Sequence, residues 1–174
     1  NSDRAINTPA DIEGLKVRVM ENPVYIDTFR ELGADAIPMA WTEALTAMQQ
    51  GTIDGQENPV GVVHSFKLNE TQTNMTMTRH TYAPAIIVMS LPVWSGLSEE
   101  AQEIISAAAQ EAAEYERQLN ADLEAEQLAE VRACGMEVID DAELSAFSEA
   151  VAPVYEKYGE RFGDYLPRIQ DALK

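Results

Sequence analysis

The stretch that most constrains this fold is residues 38–59, in which several short elements follow one another closely. Thr42 is placed to cap a helix, Gly51 suits the left-handed backbone at its end, and residues 52–54 form a short strand candidate. Asn58, followed by a proline, predicts the cap of a second helix. A strand, a turn and a helix start in so few residues are typical of the ligand-facing rim of an α/β protein.

An alternation of apolar and polar side chains precedes this stretch. Residues 15–20 place a leucine and two valines on one face of a strand and Arg18 on the other. Asn22, followed by a proline, starts a helix, and Gly33 ends it. Residues 35–39 are a second strand candidate. A strand, a helix and a strand of these lengths predict a right-handed βαβ unit with a parallel sheet.

Two later segments carry apolar side chains suited to a core. The helix after residue 58 is expected to direct Val62, Val63 and Phe66 inward. Residues 84–91, Pro-Ala-Ile-Ile-Val-Met-Ser-Leu, are the most apolar strand candidate, and we expect both of their faces to be buried.

A long helix begins after Ser98, which is its predicted cap, and ends before Gly135. At 1.5 Å per residue it is about 50 Å long, which is more than one small domain needs. A helix of this length either braces two domains or forms the seam of a dimer. We favour bracing, and both interpretations stay open from spacing alone.

The residues after the long helix predict a short strand and further helices. Val138 and Ile139 form the strand candidate, and Asp140 or Asp141 is expected to cap the next helix. Pro153 falls inside the apolar pattern and should kink or split that helix. The inward residues are Leu144, Phe147, Val151, Val154 and Tyr158. A terminal helix carries Phe162, Tyr165, Leu166, Ile169 and Leu173.

Charge and composition exclude several classes of function. The formal net charge of −18 argues against binding nucleic acid or anionic lipid, since both need clustered lysine and arginine. The sequence contains no apolar run near the ~20 residues of a membrane span. Its single cysteine cannot form an internal disulfide, and two histidines with one cysteine give no spacing typical of zinc. No cofactor or metal is predicted.

Enzyme chemistry is not indicated either. The sequence contains no Gly-x-Ser-x-Gly elbow, no phosphate-binding loop and no dinucleotide fingerprint. Asp54 and Glu57 could act as an acid and base pair, but a turn aspartate and a first-turn acid explain them better. From these residues we therefore expect no catalysis.

Three residues are candidates for ligand contact, and each has a structural alternative. Arg18 lies among apolar neighbours, where it either pairs with Glu21 or Glu31 at a strand edge or binds a carboxylate with its guanidinium fork. Trp41 is either a core aromatic or a platform for a ligand's carbon skeleton. Asn58 is explained by helix capping, and ligand contact would be an added role.

Several motifs resemble those of receptors from tripartite ATP-independent periplasmic (TRAP) transporters, of the dicarboxylate-binding-protein (DctP) type. They are Gly-Leu-Lys-Val-Arg-Val-Met at 14–20, Pro-Met-Ala-Trp-Thr-Glu-Ala-Leu at 38–45 and Gln-Gly-Thr-Ile-Asp-Gly-Gln-Glu-Asn-Pro at 50–59. Phe66-Lys67, Glu70, Thr78-Arg-His80 and the acidic helix after Ser98 extend the resemblance over essentially the whole chain.

The resemblance implies a periplasmic receptor whose two α/β domains close over a small organic acid and deliver it to membrane permease subunits. It implies that Arg18 holds the ligand carboxylate, that Trp41, where phenylalanine is frequent, lines the pocket, and that Asn58 contacts the ligand. Glu21 and Asn22 are weaker candidates. His80 and Tyr82 lie near a strand that crosses between the domains and receive no role.

The resemblance also implies an architecture. We expect an α/β, periplasmic-binding-protein-like (type II-like) fold, with residues 1–91 as the second ligand-binding domain, 92–135 as the interdomain helix and 136–174 as C-terminal helices. Family members are longer, so we expect the N-terminal domain to be largely absent, the chain to be a truncated receptor, and the apolar surface left exposed to favour association with a partner. The alternative is a structural or interaction domain built on the long helix.

Overall fold

The computed structural model describes residues 1–172, in which eight α-helices, three short 3₁₀ helices and five short strands are present. Leu173, which we expected on the terminal helix, lies outside that range. The helices are α1 (Pro23–Glu31), α2 (Trp41–Gln49), α3 (Val60–Ser65), α4 (Leu91–Ser95), α5 (Glu99–Ala133), α6 (Leu144–Ala150), α7 (Ala152–Tyr158) and α8 (Tyr165–Ala172). The strands are β1 (Lys16–Val19), β2 (Asp35–Pro38), β3 (Gly55–Gln56), β4 (Asn74–Thr76) and β5 (Glu137–Ile139).

Two small parallel sheets organise the chain. The first has the strand order β2-β1-β3, and the second joins β4 to β5. Arg18 in β1 is the register partner of Ile37 on one side and of Gln56 on the other. The βαβ unit predicted from the sequence is thus confirmed, with β1 as its central strand.

Local signals at α1 act as predicted. The side chain of Asn22 accepts a hydrogen bond from the Val24 amide at 2.9 Å, which caps the helix. Gly33 follows the helix with a φ of +89°, a backbone conformation that favours glycine. These two residues fix the length of α1 and therefore the place where β2 begins.

Two apolar clusters lie on opposite faces of the first sheet. One contains Val17 and Val19 of β1 and joins α1 to α6. The other lies under α2 and α3 and includes Ile53, Val63 and Val131. Since Val19 has no exposed surface, β1 is at the centre of the domain.

Helix α5 is 35 residues long and begins as predicted. The Ser98 hydroxyl accepts a hydrogen bond from the Ala101 amide at 3.3 Å, and Gly135 beyond the end has a φ of +92°. Of its residues only Val131 is buried, and α3 packs close to it, where His64 contacts Glu130. The apolar side chains of Ile104 and Tyr115 are exposed.

Three helices begin later or earlier than the sequence indicated. Helix α2 starts at Trp41 with Ala40 in the cap position, so Thr42 lies in the first turn and caps nothing. Helix α3 has Pro59 in the cap position, because the Asn58 side chain is bonded to Gln56 instead. In α6 the cap position is occupied by Glu143 and not by Asp140 or Asp141 as expected. Asp140 instead pairs with Arg132.

The third strand is also displaced from its predicted position. Residues 52–54 form the turn after Gly51, whose φ is +66°, and β3 is Gly55–Gln56. The reason is that the Thr52 amide donates to the Ala47 carbonyl at 3.0 Å, which keeps that residue on the helix end. The backbone reaches the sheet at Asp54, whose amide donates a hydrogen bond to the Lys16 carbonyl at 2.8 Å.

The prediction that residues 84–91 form a buried strand is wrong for this structure. Residues 84–90 have no regular secondary structure, and Ile86 and Val88 are 78% and 82% exposed. Within residues 1–172 this segment pairs with no strand, so its backbone and its apolar side chains remain uncovered.

Two further burial predictions need correction. Val60 and Val63 face inward from α3, whereas Phe66 lies beyond the helix and is about half exposed. Leu144 is exposed because α6 begins with it, while Phe147, Val154 and Tyr158 are buried as predicted. Helices α6 and α7 meet at Val151, which confirms the split expected near Pro153.

In the described part of the chain no helix is both long and apolar enough to cross a membrane.

Candidate functional site

The carboxyl ends of the first sheet's strands bring the three candidate residues to one edge. Arg18 is one residue from the end of β1, Trp41 follows β2 and Asn58 follows β3. In parallel α/β sheets this edge is where ligands bind, because the helices and loops that follow the strands surround it. The strand order β2-β1-β3 therefore places the three candidate residues at the same edge. Their contact with a ligand remains a prediction.

Arg18 is a buried basic residue with unused hydrogen-bonding capacity. Its side chain is 5% exposed, and its Nε donates to the Met39 carbonyl at 3.0 Å. Among the ion pairs formed by residues 1–172, none includes Arg18, so the predicted pairs with Glu21 and Glu31 do not form. The Nη groups are therefore not committed to a carboxylate of the described chain.

The electrostatic surroundings of Arg18 combine burial with nearby acids. Burial lowers the pKa of Arg18 from its ordinary value, and the negative charges of Glu57 and then Glu21 oppose this shift. An arginine starts from so high a pKa that it stays protonated. The site consequently keeps a positive charge in a largely dry position, which an anionic ligand would neutralise.

Trp41 occupies an intermediate position between core and site. The guanidinium carbon of Arg18 lies 5.5 Å from the centroid of its ring. Phe66 meets the same indole edge-to-face, with ring centroids 5.2 Å apart. Trp41 also packs against the cluster under α2 and α3 while remaining half-buried, which agrees with the core role considered from the sequence. Its contact with a ligand stays a prediction. The contribution of Phe66 was missed, because its pattern indicated a core residue of α3.

Asn58 belongs to a small amide network. Its Nδ2 donates to the Gln56 Oε1, and Gln56 Nε2 lies 3.5 Å from the Oε1 of Gln72. Gln72 is 3% exposed, and its Nε2 is the one buried side-chain atom without a hydrogen-bond partner in the part of the chain that the structure describes. This network could not be predicted from the sequence, because Gln56 and Gln72 are 16 residues apart along the chain.

A histidine and an acid lie beside this network. His80 Nε2 is 3.4 Å from Glu57 Oε2, and His80 Nδ1 is 2.7 Å from the Thr78 hydroxyl. The imidazole also packs edge-to-face on Phe29. His80 thus has a structural environment, while Tyr82 is 88% exposed.

The two weaker candidates differ in what they do. Glu21 is exposed and acts on Arg18 only through its charge. Asn22 is occupied as the cap of α1, which is sufficient to explain it.

One large cavity does not coincide with the candidate residues. It has a volume of about 560 Å³ and lies between α1, the C-terminal helices and residues 78–82. Its walls are mainly apolar, with Phe29, Phe147 and Tyr155 among them, and Arg18, Trp41 and Asn58 are not part of them. Arg79 and His80 are also part of these walls but are exposed, whereas Arg18 is buried, so we place the candidate site for an acid at the sheet edge. Within residues 1–172, no group of three or more histidine, cysteine or acidic side chains is arranged to hold a metal ion.

Comparison with known families decides what kind of protein this is. Residues 1–161 match the family described as bacterial extracellular solute-binding protein, family 7 (DctP). The chain belongs to this family. Its members are receptors for solutes, and the α/β, periplasmic-binding-protein-like fold predicted from the sequence is the fold of its structural neighbours.

Individual relatives agree with the family assignment. The 2,3-diketo-L-gulonate-binding periplasmic protein YiaO of Escherichia coli is 37% identical over 174 residues, which is 100% of this chain and 52% of YiaO. A TRAP periplasmic solute binding protein from Polaromonas sp. JS666, bound to D-erythronate, is 41% identical with a TM-score of 0.88 over 94% of this chain and 54% of that one. A third, the TRAP periplasmic solute binding protein from Roseobacter denitrificans with bound β-D-glucuronate, is 37% identical with a TM-score of 0.90. The match covers 98% of this chain and 56% of that chain.

The DctP-family chain spans about half the length of the curated relatives it matches. The other half of each relative has no counterpart in the matched residues.

Proposed function

We propose that this chain is part of a periplasmic TRAP-transporter receptor, which binds a small organic acid and delivers it to membrane permease subunits. The observation that carries the proposal is Arg18, a buried guanidinium at the carboxyl edge of a parallel sheet without a carboxylate partner among residues 1–172. A planar fork of N–H donors suits a carboxylate, to which it can donate two parallel hydrogen bonds.

The roles of the other two residues follow from their chemistry. Trp41 offers the face of an indole beside Arg18, against which the carbon skeleton of an acid can pack. Asn58 carries an amide that can exchange its bond to Gln56 for one to a ligand hydroxyl or keto oxygen. The acids named for the relatives, D-erythronate, β-D-glucuronate and 2,3-diketo-L-gulonate, support a hydroxy or keto acid as the ligand class.

Closure of two domains over the acid completes the proposal. Residues 1–91 contribute the wall that carries Arg18, residues 92–135 the connecting helix, and residues 136–174 the C-terminal support. The facing wall lies in the remaining half of the receptor. Closure would remove the last water from Arg18 and strengthen its interaction with the carboxylate, because charge interactions grow as the local dielectric constant falls.

A thermal-shift screen of the full-length receptor tests the function, because a ligand that binds only the folded state raises the melting temperature. We would compare each acid with its neutral counterpart: D-glucuronate with D-glucose, and D-erythronate with erythritol. We expect at least one hydroxy or keto acid to raise the melting temperature while its neutral counterpart does not. Equal shifts from acid and neutral sugar, or none from any acid, would reject the proposal.

A second function is suggested by α5. The side chains of Ile104, Tyr115 and Leu119 are exposed along this helix, as an interaction domain would require. That function predicts a dimer in light scattering whose mass does not respond to small acids. Replacing Ile104 and Tyr115 with serine would return such a dimer to monomers, whereas the receptor function predicts unchanged acid binding in the same variant.

A further inference from the structure

Phe66 is a large apolar side chain exposed beside the candidate site. Its ring meets the indole of Trp41 edge-to-face, with 5.2 Å between the ring centroids and an angle of 84° between the ring planes. It is 48% exposed and belongs to neither of the two apolar clusters formed by the described residues. Core packing therefore does not account for Phe66, and the feature that distinguishes it is its ring contact with a candidate site residue.

The side chain of Trp41 lacks the restraint that a helix gives to its interior residues. Inside a helix, the preceding turn blocks one of the three staggered side-chain orientations. Trp41 is the first residue of α2 and Ala40 is in the cap position, so no preceding turn of the helix restricts the indole. The orientation of the ring is therefore set by contacts with other elements. Two such contacts are Phe66 at the end of α3 and Arg18 of β1, whose guanidinium carbon is 5.5 Å from the ring centroid.

The backbone that carries Phe66 is held on both sides. Val63 before it is 3% exposed and Leu68 after it is 2% exposed, and both are anchored in the cluster under α2 and α3. The Phe66 amide donates to the Val62 carbonyl at 3.0 Å. The ring is therefore presented by a fixed backbone, although the ring itself is about half exposed.

The residue after Phe66 has a strained backbone conformation. Lys67 has a φ of 51° and a ψ of 47°, which is the left-handed region, where a side chain costs free energy that glycine avoids. The Lys67 amide donates to the His64 carbonyl at 3.0 Å, as in a helix-ending turn. This turn ends α3, leaves Phe66 beside Trp41 and returns the chain to the core at Leu68. Backbone strain of this kind is concentrated at functional sites.

We propose that Phe66 is a positioning residue of the acid site, which holds the indole of Trp41 in the orientation in which it lies beside Arg18. The proposal rests on the proposed function, because it gives Phe66 a role in binding the same acid. Phe66 acts through Trp41 and not by contact with the acid. Without the ring of Phe66, the indole occupies other staggered orientations. The apparent affinity then falls with the fraction of molecules that keep the binding orientation.

Three substitutions at Phe66 in the full-length receptor separate the ring from apolar volume. The probe is D-glucuronate or D-erythronate, whichever raises the melting temperature more, and titration calorimetry gives the affinity. We expect Phe66→Ala to weaken binding about three- to tenfold, from the number of staggered orientations and the strength of one aromatic pair. Phe66→Tyr keeps the ring and should bind within about twofold of the unmodified receptor. Phe66→Leu keeps apolar volume without a ring and should resemble Phe66→Ala.

Phe162→Ala is the matched control, because Phe162 is 51% exposed and lies in the short 3₁₀ helix Gly159–Phe162. It should leave the affinity unchanged. A receptor that binds neither acid would overturn the proposed function together with this role of Phe66. Unchanged affinity in Phe66→Ala, in a receptor that does bind one of the acids, would overturn the role of Phe66 alone.

A double-mutant cycle tests whether Phe66 acts through Trp41. In the Trp41→Ala background, Phe66→Ala should cause no further loss of affinity, because the ring that Phe66 positions is gone. A loss as large as in the unmodified background would show that Phe66 acts independently of Trp41, and the proposal would be wrong.

The order of the indole can be measured without any acid. The indole N–H of Trp41 gives a nuclear magnetic resonance signal, which is assigned by its absence in Trp41→Phe. In the free receptor, the heteronuclear Overhauser effect of this signal should be lower in Phe66→Ala, because the ring becomes more mobile on the picosecond-to-nanosecond timescale. It should be unchanged in Phe66→Tyr. An unchanged value in Phe66→Ala would show that Phe66 does not hold the ring, and the proposal would be overturned.

Discussion

The guanidinium of Arg18 and the indole ring of Trp41 form a cation–π pair, with 5.5 Å between the guanidinium carbon and the ring centroid. The two residues come from different elements, since Arg18 lies in β1 and Trp41 is the first residue of α2. Such pairs contribute about 0.5–2 kcal/mol, depending on how far they are removed from water. The ring holds one face of the guanidinium and leaves its N–H edge available to a carboxylate.

Replacement of Arg18 tests the charge at the site. In the full-length receptor we expect Arg18→Ala to weaken binding of the cognate acid by about 2–5 kcal/mol, as for removal of one partner from a buried charge pair. Arg18→Lys should recover only part of this loss, because an ammonium cannot donate two parallel hydrogen bonds to one carboxylate. Titration calorimetry with the acid identified by thermal shift gives both affinities.

Arg161→Ala is the matched control for the Arg18 variants, because Arg161 is exposed and lies in the segment between α7 and α8. It should leave the affinity unchanged. Unchanged calorimetric affinity in Arg18→Ala would remove Arg18 from the site, even if the receptor still bound acids.

Replacement of Trp41 separates ring contact from side-chain volume. Trp41→Phe keeps a ring beside both Arg18 and Phe66, so we expect acid affinity close to that of the unmodified receptor. Trp41→Ala should lose about 0.5–2 kcal/mol of affinity, or roughly twofold to thirtyfold, together with some thermal stability. A purely structural Trp41 would lower the melting temperature in Trp41→Ala and leave the affinity of the folded fraction unchanged.

Elements fixed by local chemistry could be predicted from the sequence. The cap of α1 at Asn22, the start of α5 after Ser98 and the glycine beyond its end are properties of a few neighbouring residues. β3 was misplaced because a strand of two residues exists only through its pairing with β1, which is a contact distant in sequence. Residues 84–90 have the apolar pattern of a strand, but a strand forms only where a neighbouring strand is present to pair with it.

Only part of the candidate site could be predicted from the sequence. Arg18 could be singled out because an arginine among alternating apolar residues is unusual in a central strand. The contact of Phe66 with Trp41 could not be predicted. It depends on where α3 ends and on the left-handed backbone at Lys67, whose φ is 51°. Contacts between side chains on different elements have no signature in a single sequence.

Asp27 connects α1 to α7 and should make stability depend on pH. Its carboxylate accepts hydrogen bonds from Lys157 Nζ and from the Tyr158 hydroxyl, each at 2.6 Å. These two bonds lower the pKa of Asp27 in the folded protein. A depressed carboxyl pKa stabilises the fold above the unfolded value of about 3.9, and this stabilisation is lost as the pH falls through the lower folded value.

Melting temperatures measured between pH 2 and pH 7 check the role of Asp27. Asp27→Asn should be less stable than the unmodified chain at pH 7, and the difference should shrink as the pH falls. Asp164→Asn is the control, because Asp164 is exposed and lies 3.9 Å from its only ion-pair partner among the described residues, Arg168. A difference that stays constant down to pH 2 would show that the bonds to Asp27 do not need its charge.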